Sequence, residues 1–282
     1  MSTREQVLIS PAELAGLIDA GEPVSILDVR WRLDTPDGRP AYLDGHLPGA
    51  VYVSLEDDLS DHTVSGRGRH PLPSGSSLQE SLRRCGVCDG VPIVVYDDWN
   101  RAGSARAWWV LTAAGLTDVR ILDGGLSAWR ASDGQLESGP VAPPTGNVTV
   151  PQPNLYAGSQ PTLTADEAGA ARMPLFDARA PERYRGEVEP VDAVAGHIPG
   201  AKNLPFGSLL TADGTLLGTA ELHDLLSANG IEPDSPVGTY CGSGVTAAVV
   251  VAALAAAGQR AALFPGSWSE WSSDPARPVE RG

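Results

Sequence analysis

Positive charge is scarce in this chain of 282 residues, and nearly all of it is arginine. Lys202 is the single lysine, and Lys and Arg together number 20 against 35 Asp and Glu. A formal charge of −15 argues against nucleic acid or an anionic membrane surface as a partner, since both need a basic face. Cysteine is sparse as well: three residues are too few for a disulfide scaffold. No uninterrupted apolar run is long enough to span a bilayer, and Met1–Gln6 has none of the apolar core of a signal peptide. A cytoplasmic protein with no membrane association is expected.

What is present suffices for real cores. The hydrophobic fraction is 42%, there are seven tryptophans, and the length exceeds what one core usually serves, so two domains are expected. The two halves repeat one pattern. Ile26-Leu27-Asp28-Val29-Arg30 matches Leu175-Phe176-Asp177-Ala178-Arg179, and Gly45-His46-Leu47-Pro48-Gly49-Ala50 matches Gly196-His197-Ile198-Pro199-Gly200-Ala201. Val94-Val95-Tyr96-Asp97 corresponds to the run ending Tyr240-Cys241, and Leu122-Asp123-Gly124-Gly125 to Phe264-Pro265-Gly266-Ser267. Four anchors in the same order make the chain a tandem repeat. The copies occupy residues 1–138 and 161–282, and residues 139–160, with Pro143-Pro144 and Pro151-Gln152-Pro153, read as an extended, semi-rigid linker. Helical spacing over Ala12–Asp19, Ala165–Arg172, Ser77–Cys85 and Ala220–Asn229 alternates with short apolar strands. That alternation predicts parallel sheets covered on both faces.

The chemistry concentrates at Cys241-Gly242-Ser243-Gly244-Val245-Thr246. A strand-like run, Pro236–Tyr240, enters this turn and an alanine-rich helix, Ala247–Ala257, leaves it. A cysteine there meets inward-pointing backbone N–H groups and the positive end of a helix, a setting that favours the thiolate nucleophile. In open parallel sheets, ligands bind beyond the carboxyl ends of the strands, where Cys241 falls. A phosphatase on such a loop needs an arginine six positions after the cysteine. That position is Ala247, which turns the reading from phosphoryl transfer toward transfer of sulfur.

Other candidates weigh less. Cys85-Gly86-Val87-Cys88 has the spacing of a redox or zinc site, but no second ligand pair accompanies it and the pair closes a helix, so structural thiols and no metal are expected. His46 and His197, and the pairs Asp28/Arg30 and Asp177/Arg179, recur in both copies and read as structural. His70 and Arg183 have no twin in the other copy, which favours a functional role for each.

Together, Tyr42–Ala50, Phe264–Trp271, the duplication and the Cys241 loop resemble the two-domain rhodaneses, the thiosulfate and 3-mercaptopyruvate sulfurtransferases. The resemblance covers nearly all of the chain. It implies an α/β fold of two tandem rhodanese-like domains, each a mainly parallel sheet with helices on both faces. The C-terminal domain would be catalytic; the N-terminal one, with Asp97 where the other has Cys241, would only shape the cleft. Cys-Gly-Ser-Gly-Val-Thr is similar to the mercaptopyruvate type, which implies that Ser243 works with His70 and Asp57. Gly242, Gly244, Val245 and Thr246 would bind the transferred sulfur through the loop, with the Thr246 hydroxyl at the helix start. Of the two arginines implied for the donor, one maps onto Arg183; the other should follow Glu189-Pro190, where this chain has Val191. One lost charge-assisted contact costs about 1.5–3 kcal/mol, so the donor stays open between thiosulfate and mercaptopyruvate. The expected activity is transfer through a Cys241 persulfide, without cofactor, to cyanide, a small thiol or a thioredoxin-like protein. The alternative is a persulfide carrier with little turnover on small donors.

Overall fold

The computed structural model describes residues 3–282 and folds them into two α/β units, each on an all-parallel sheet. In the first, β1 (Leu8–Ile9), β2 (Ser25–Asp28), β3 (Val51–Tyr52), β4 (Ile93–Tyr96) and β5 (Val119–Leu122) take the order β1-β5-β4-β2-β3. In the second, β6 (Leu175–Asp177), β7 (Lys202–Asn203), β8 (Val237–Tyr240) and β9 (Ala261–Leu263) take the order β7-β6-β8-β9. A lone parallel bridge from Thr162 to Leu263 stands where β1 stands in the first sheet, so the two arrangements coincide. Register agrees as well: Asp28 pairs with Tyr96, and Asp177 with Tyr240.

Local sequence explains the central strands. β4 reads Ile-Val-Val-Tyr and is buried throughout, as a parallel strand covered on both faces must be. β8 reads Val-Gly-Thr-Tyr, and Gly238 is there for space: a Cβ would lie 2.8 Å from a Leu163 methyl. Helix Ala165–Gly169 opens with a capping box between Thr164 and Glu167 but stops short of the predicted Arg172. Ala171 takes a left-handed φ of 49°, which a continuing helix cannot accommodate.

One hydrophobic cluster spans both domains, beside a separate one in each. Helices Ala102–Ala113 and Ala247–Ala256 follow the two corresponding loops, and both are apolar nearly all round. Such helices cannot face water. They pack against each other, and Trp109, Val110, Val250 and Leu254 belong to one buried cluster. Residues 139–160 contain one 3-10 turn, Leu155–Ala157, and no strand. They are nevertheless pinned to the first domain: the N–H groups of Gly146, Val148 and Gln152 donate to the carbonyls of Arg83, Val87 and Ala114, and Val148 and Leu155 are buried. Among the described residues no helix is long and apolar enough to cross a membrane.

Candidate active site

Strand β8 delivers Cys241 to the carboxyl edge of its sheet. Gly244 takes a φ of +76°, and a Cβ there would lie 2.4 Å from the Pro265 carbonyl oxygen, so this turn requires glycine twice over. The neighbouring helix Ser267–Trp271 fixes the outer side of the loop. The Cys241 N–H donates to Ser267 Oγ at 3.1 Å, and the Cys241 and Gly242 carbonyls accept from the N–H groups of Trp268 and Ser269. Among the described residues, the N–H groups of Gly242 to Thr246 donate to no protein acceptor. Cys241 is only 2% exposed, but it lines a cavity of about 570 Å³ together with Ser243, Arg69 and Arg183.

The first domain contains the same loop with its anion built in. Asp97 Oδ1 accepts from the N–H groups of Trp99 and Arg101, and Oδ2 from the N–H and hydroxyl of Ser104. Arg101 Nη2 lies 2.9 Å from the same carboxylate. One copy therefore closes its amide cradle on a resident carboxylate, and the other leaves it open at a cysteine. The first loop cradles an anion; the second leaves the corresponding N–H groups unengaged by the described residues.

A hydrogen-bonded chain from the first domain reaches Cys241's neighbour. His70 Nδ1 lies 2.7 Å from Ser243 Oγ, and His70 Nε2 lies 3.1 Å from Glu56 Oε1. Glu56 also accepts from Trp31 Nε1 at 2.6 Å and contacts His62 Nε2 at 2.9 Å. The carboxylate on His70 is thus Glu56, where the sequence pointed to Asp57. Asp57 turns back within its own turn, accepting from Ser54 Oγ at 2.9 Å. Burial alone would raise the Glu56 carboxyl, but the His70 and Trp31 hydrogen bonds and the neighbouring histidines hold it down at about 2. Burial lowers the His70 pKa below its ordinary value and outweighs the pull of Glu56. A neutral His70 beside an ionised Glu56 carries its proton on Nε2, which leaves Nδ1 to accept from the Ser243 hydroxyl.

Arg183 sits at this site as expected, its Nη2 held at 2.6 Å by Glu189. Arg69, which the sequence did not single out, lines the same cavity and pairs with Asp192 at 2.6 Å. Val191 is exposed, and its N–H donates to Glu189.

The comparisons with known proteins agree with this geometry. The rhodanese-like domain model matches twice, over residues 10–132 and 161–274. The chain belongs to the rhodanese family. It is 70% identical over 282 residues to a protein of Mycobacterium tuberculosis named thiosulfate sulfurtransferase SseB, covering 100% of this chain and 99% of that one. It is 38% identical over 274 residues to the 3-mercaptopyruvate sulfurtransferase of Escherichia coli K12, covering 95% of each. Among solved structures, SseA of Escherichia coli superimposes with a TM-score of 0.80 at 34% identity over 93% of this chain and 98% of that one. The 3-mercaptopyruvate sulfurtransferase of Leishmania major gives 0.82 at 30% identity over 95% and 74%.

Several other features of this rhodanese bear on the site. Thr246 lines the cavity, but its side chain makes no capping hydrogen bond, so the helix start gets no help from its hydroxyl. Val245 packs with Trp31, Leu55 and Ala102 across the domain boundary. Arg106 is fully buried and has no carboxylate partner among the described residues. It donates to the carbonyls of His70 at 3.0 Å, Leu59 at 3.3 Å and Gly244 at 3.4 Å, and burial pushes its pKa down to about 10. It ties the histidine segment to the cysteine loop. Trp268 is fully buried, its backbone N–H donating to the Cys241 carbonyl and the Arg179 guanidinium lying over its ring. His46 and His197 stack on Tyr42 and Tyr184 and hold equivalent turns, and Asp28–Arg30 and Asp177–Arg179 are buried pairs at equivalent strand ends. Cys85 and Cys88 are free thiols, and burial pushes that of Cys85 up to about 11.

Proposed function

We propose that the protein transfers sulfane sulfur from a small anionic donor, 3-mercaptopyruvate in preference to thiosulfate, through a persulfide on Cys241. The observation that carries this reading is the Glu56–His70–Ser243 chain meeting the Cys241 loop. The Cys241 thiolate attacks the donor sulfur, the carbon–sulfur bond breaks, and its electron pair leaves on carbon as the enolate of pyruvate. The donor's thiol proton ends on that carbon, so Cys–S⁻ and mercaptopyruvate become Cys–S–S⁻ and pyruvate. Ser243 and neutral His70 provide a route for that proton. The open amides of residues 242–246 donate to the charged terminal persulfide sulfur, as the N–H groups of Arg101 and Ser104 donate to the Asp97 carboxylate. With thiosulfate the leaving group is sulfite, which needs no proton, so the chain would have no part to play.

A thiophilic acceptor (cyanide, a small thiol or a thioredoxin-like protein) then removes the sulfur. The enclosed position of Cys241 favours small acceptors over the carrier reading, in which turnover on small donors is slow. The test is intact-protein mass spectrometry after exposure to each donor. Wild type should gain one sulfur atom, and Cys241→Ser none. Equal gain on the variant, or none on wild type with either donor, removes the proposal.

A further inference from the structure

Two guanidinium groups from different domains close on one glycine. A Cβ on Gly242 would lie 3.2 Å from Arg69 Nη2 and 3.7 Å from both Nη1 and Nη2 of Arg183. Gly242 does not adopt a left-handed φ, and a side chain there would press on the two guanidinium tips rather than on backbone. Both arginines line the cavity beside Cys241. The Arg69 backbone is fixed: its N–H donates to Ser269 Oγ at 3.0 Å, and the Ser269 N–H donates to the Gly242 carbonyl at 2.9 Å. Gly68 makes this docking feasible, since a Cβ there would lie 2.4 Å from the Gly266 carbonyl oxygen. The segment that gives His70 to Ser243 therefore also sets Arg69 beside Gly242.

Each guanidinium is engaged on one side only. Arg69 Nη1 holds Asp192 and Arg183 Nη2 holds Glu189, while the Nε of each is buried without a partner. Asp192 lies between them, its Oδ2 3.7 Å from Arg183 Nη2. Arg69, Arg179 and Arg183 face Asp177, Glu189 and Asp192, so the cluster is neutral before a donor enters. A carboxylate with one charge brings less uncompensated charge into this half-buried site than a dianion does.

Building on the sulfurtransferase reading, we infer that Arg69 is the second arm of the donor site. With Arg183 it grips the carboxylate of the donor while the sulfur faces Cys241. The contact that Val191 cannot make is thus supplied from the other domain.

The experiment measures kcat and KM for mercaptopyruvate, with cyanide as acceptor, in wild type, Arg69→Met, Arg69→Lys and Asp192→Asn. Removing one charge-assisted contact should raise KM roughly 10–100-fold in Arg69→Met, with kcat changed far less. Arg69→Lys keeps the charge without the planar fork and should fall between. Asp192→Asn releases the Arg69 guanidinium, and its KM should fall. If Arg69 only latches the domains, Asp192→Asn will raise KM as much as Arg69→Met, and the inference fails. It also fails if KM is unchanged in both Arg69 variants while wild type loads sulfur normally. A wild type that takes up no sulfur at all is a different failure, that of the sulfurtransferase reading.

Discussion

Replacing Glu56 by Gln removes one charge and leaves the volume almost unchanged, which isolates the electrostatic role of this carboxylate. Its partners are His70, Trp31 and His62, and they hold its carboxyl at about 2 against an ordinary value near 4.5. Linkage converts that depression into at most about 3 kcal/mol of stability at neutral pH. The sign follows from the direction. A carboxyl whose pKa is lowered by folding contributes fully above about 4.5, and the contribution is lost as pH falls toward 2. Urea denaturation should therefore show Glu56→Gln less stable than wild type by about 1–3 kcal/mol at pH 7, with the gap narrowing at pH 3.5. Activity should fall too, because His70 Nε2–H loses its charged acceptor and Nδ1 becomes a weaker base toward Ser243. A loss of roughly 10–100-fold in kcat for mercaptopyruvate is expected, with thiosulfate turnover changed much less. Asp57→Asn is the internal control and should stay within about threefold, since its carboxylate faces Ser54. A stability gap that widens on acidification, or equal losses at positions 56 and 57, would refute the assignment of Glu56.

Two more outcomes follow from the same geometry. Gly244→Ala forces a left-handed residue against the Pro265 carbonyl and should destabilise the protein by more than about 2 kcal/mol in urea melts, with loss of sulfur loading. His70 is buried with its pKa below the ordinary value, so the unfolded state takes up a proton before the folded one does. As pH drops below about 6.5, stability should decline, and kcat/KM for mercaptopyruvate should follow at a lower pH. A kcat/KM that rises on acidification through this range would contradict a neutral His70.

Much of the site was legible in the sequence because its signals are local. Glycine spacing around Cys241 reports a turn whose backbone only glycine permits at 244, and the strand and helix on either side report where in the sheet that turn lies. The duplication needed only matched anchors, and Asp97 marked which copy lacks the cysteine. What the sequence missed lies where neighbouring residues compete. Glu56 and Asp57 are adjacent acids, and the turn backbone alone decides that one reaches His70 and the other Ser54. Arg69 stood next to a candidate histidine but drew no attention, since an arginine in a glycine-rich segment carries no periodic signal. The linker read as extended and semi-rigid from its prolines, and its docking was not legible: the N–H groups of Gly146, Val148 and Gln152 find carbonyls on the first domain.

By itself, the order of residues determined the tandem α/β architecture, the cysteine loop and the copy that carries Asp97 in its place, because hydrophobic period, turn chemistry and repetition act over a few residues at a time. Tertiary structure alone decided which side chains meet Cys241 from the other domain. The Ser243–His70 hydrogen bond joins residues 173 apart in the chain. Its existence depends on how two apolar helices pack across the domain boundary, a long-range contact that no local pattern encodes.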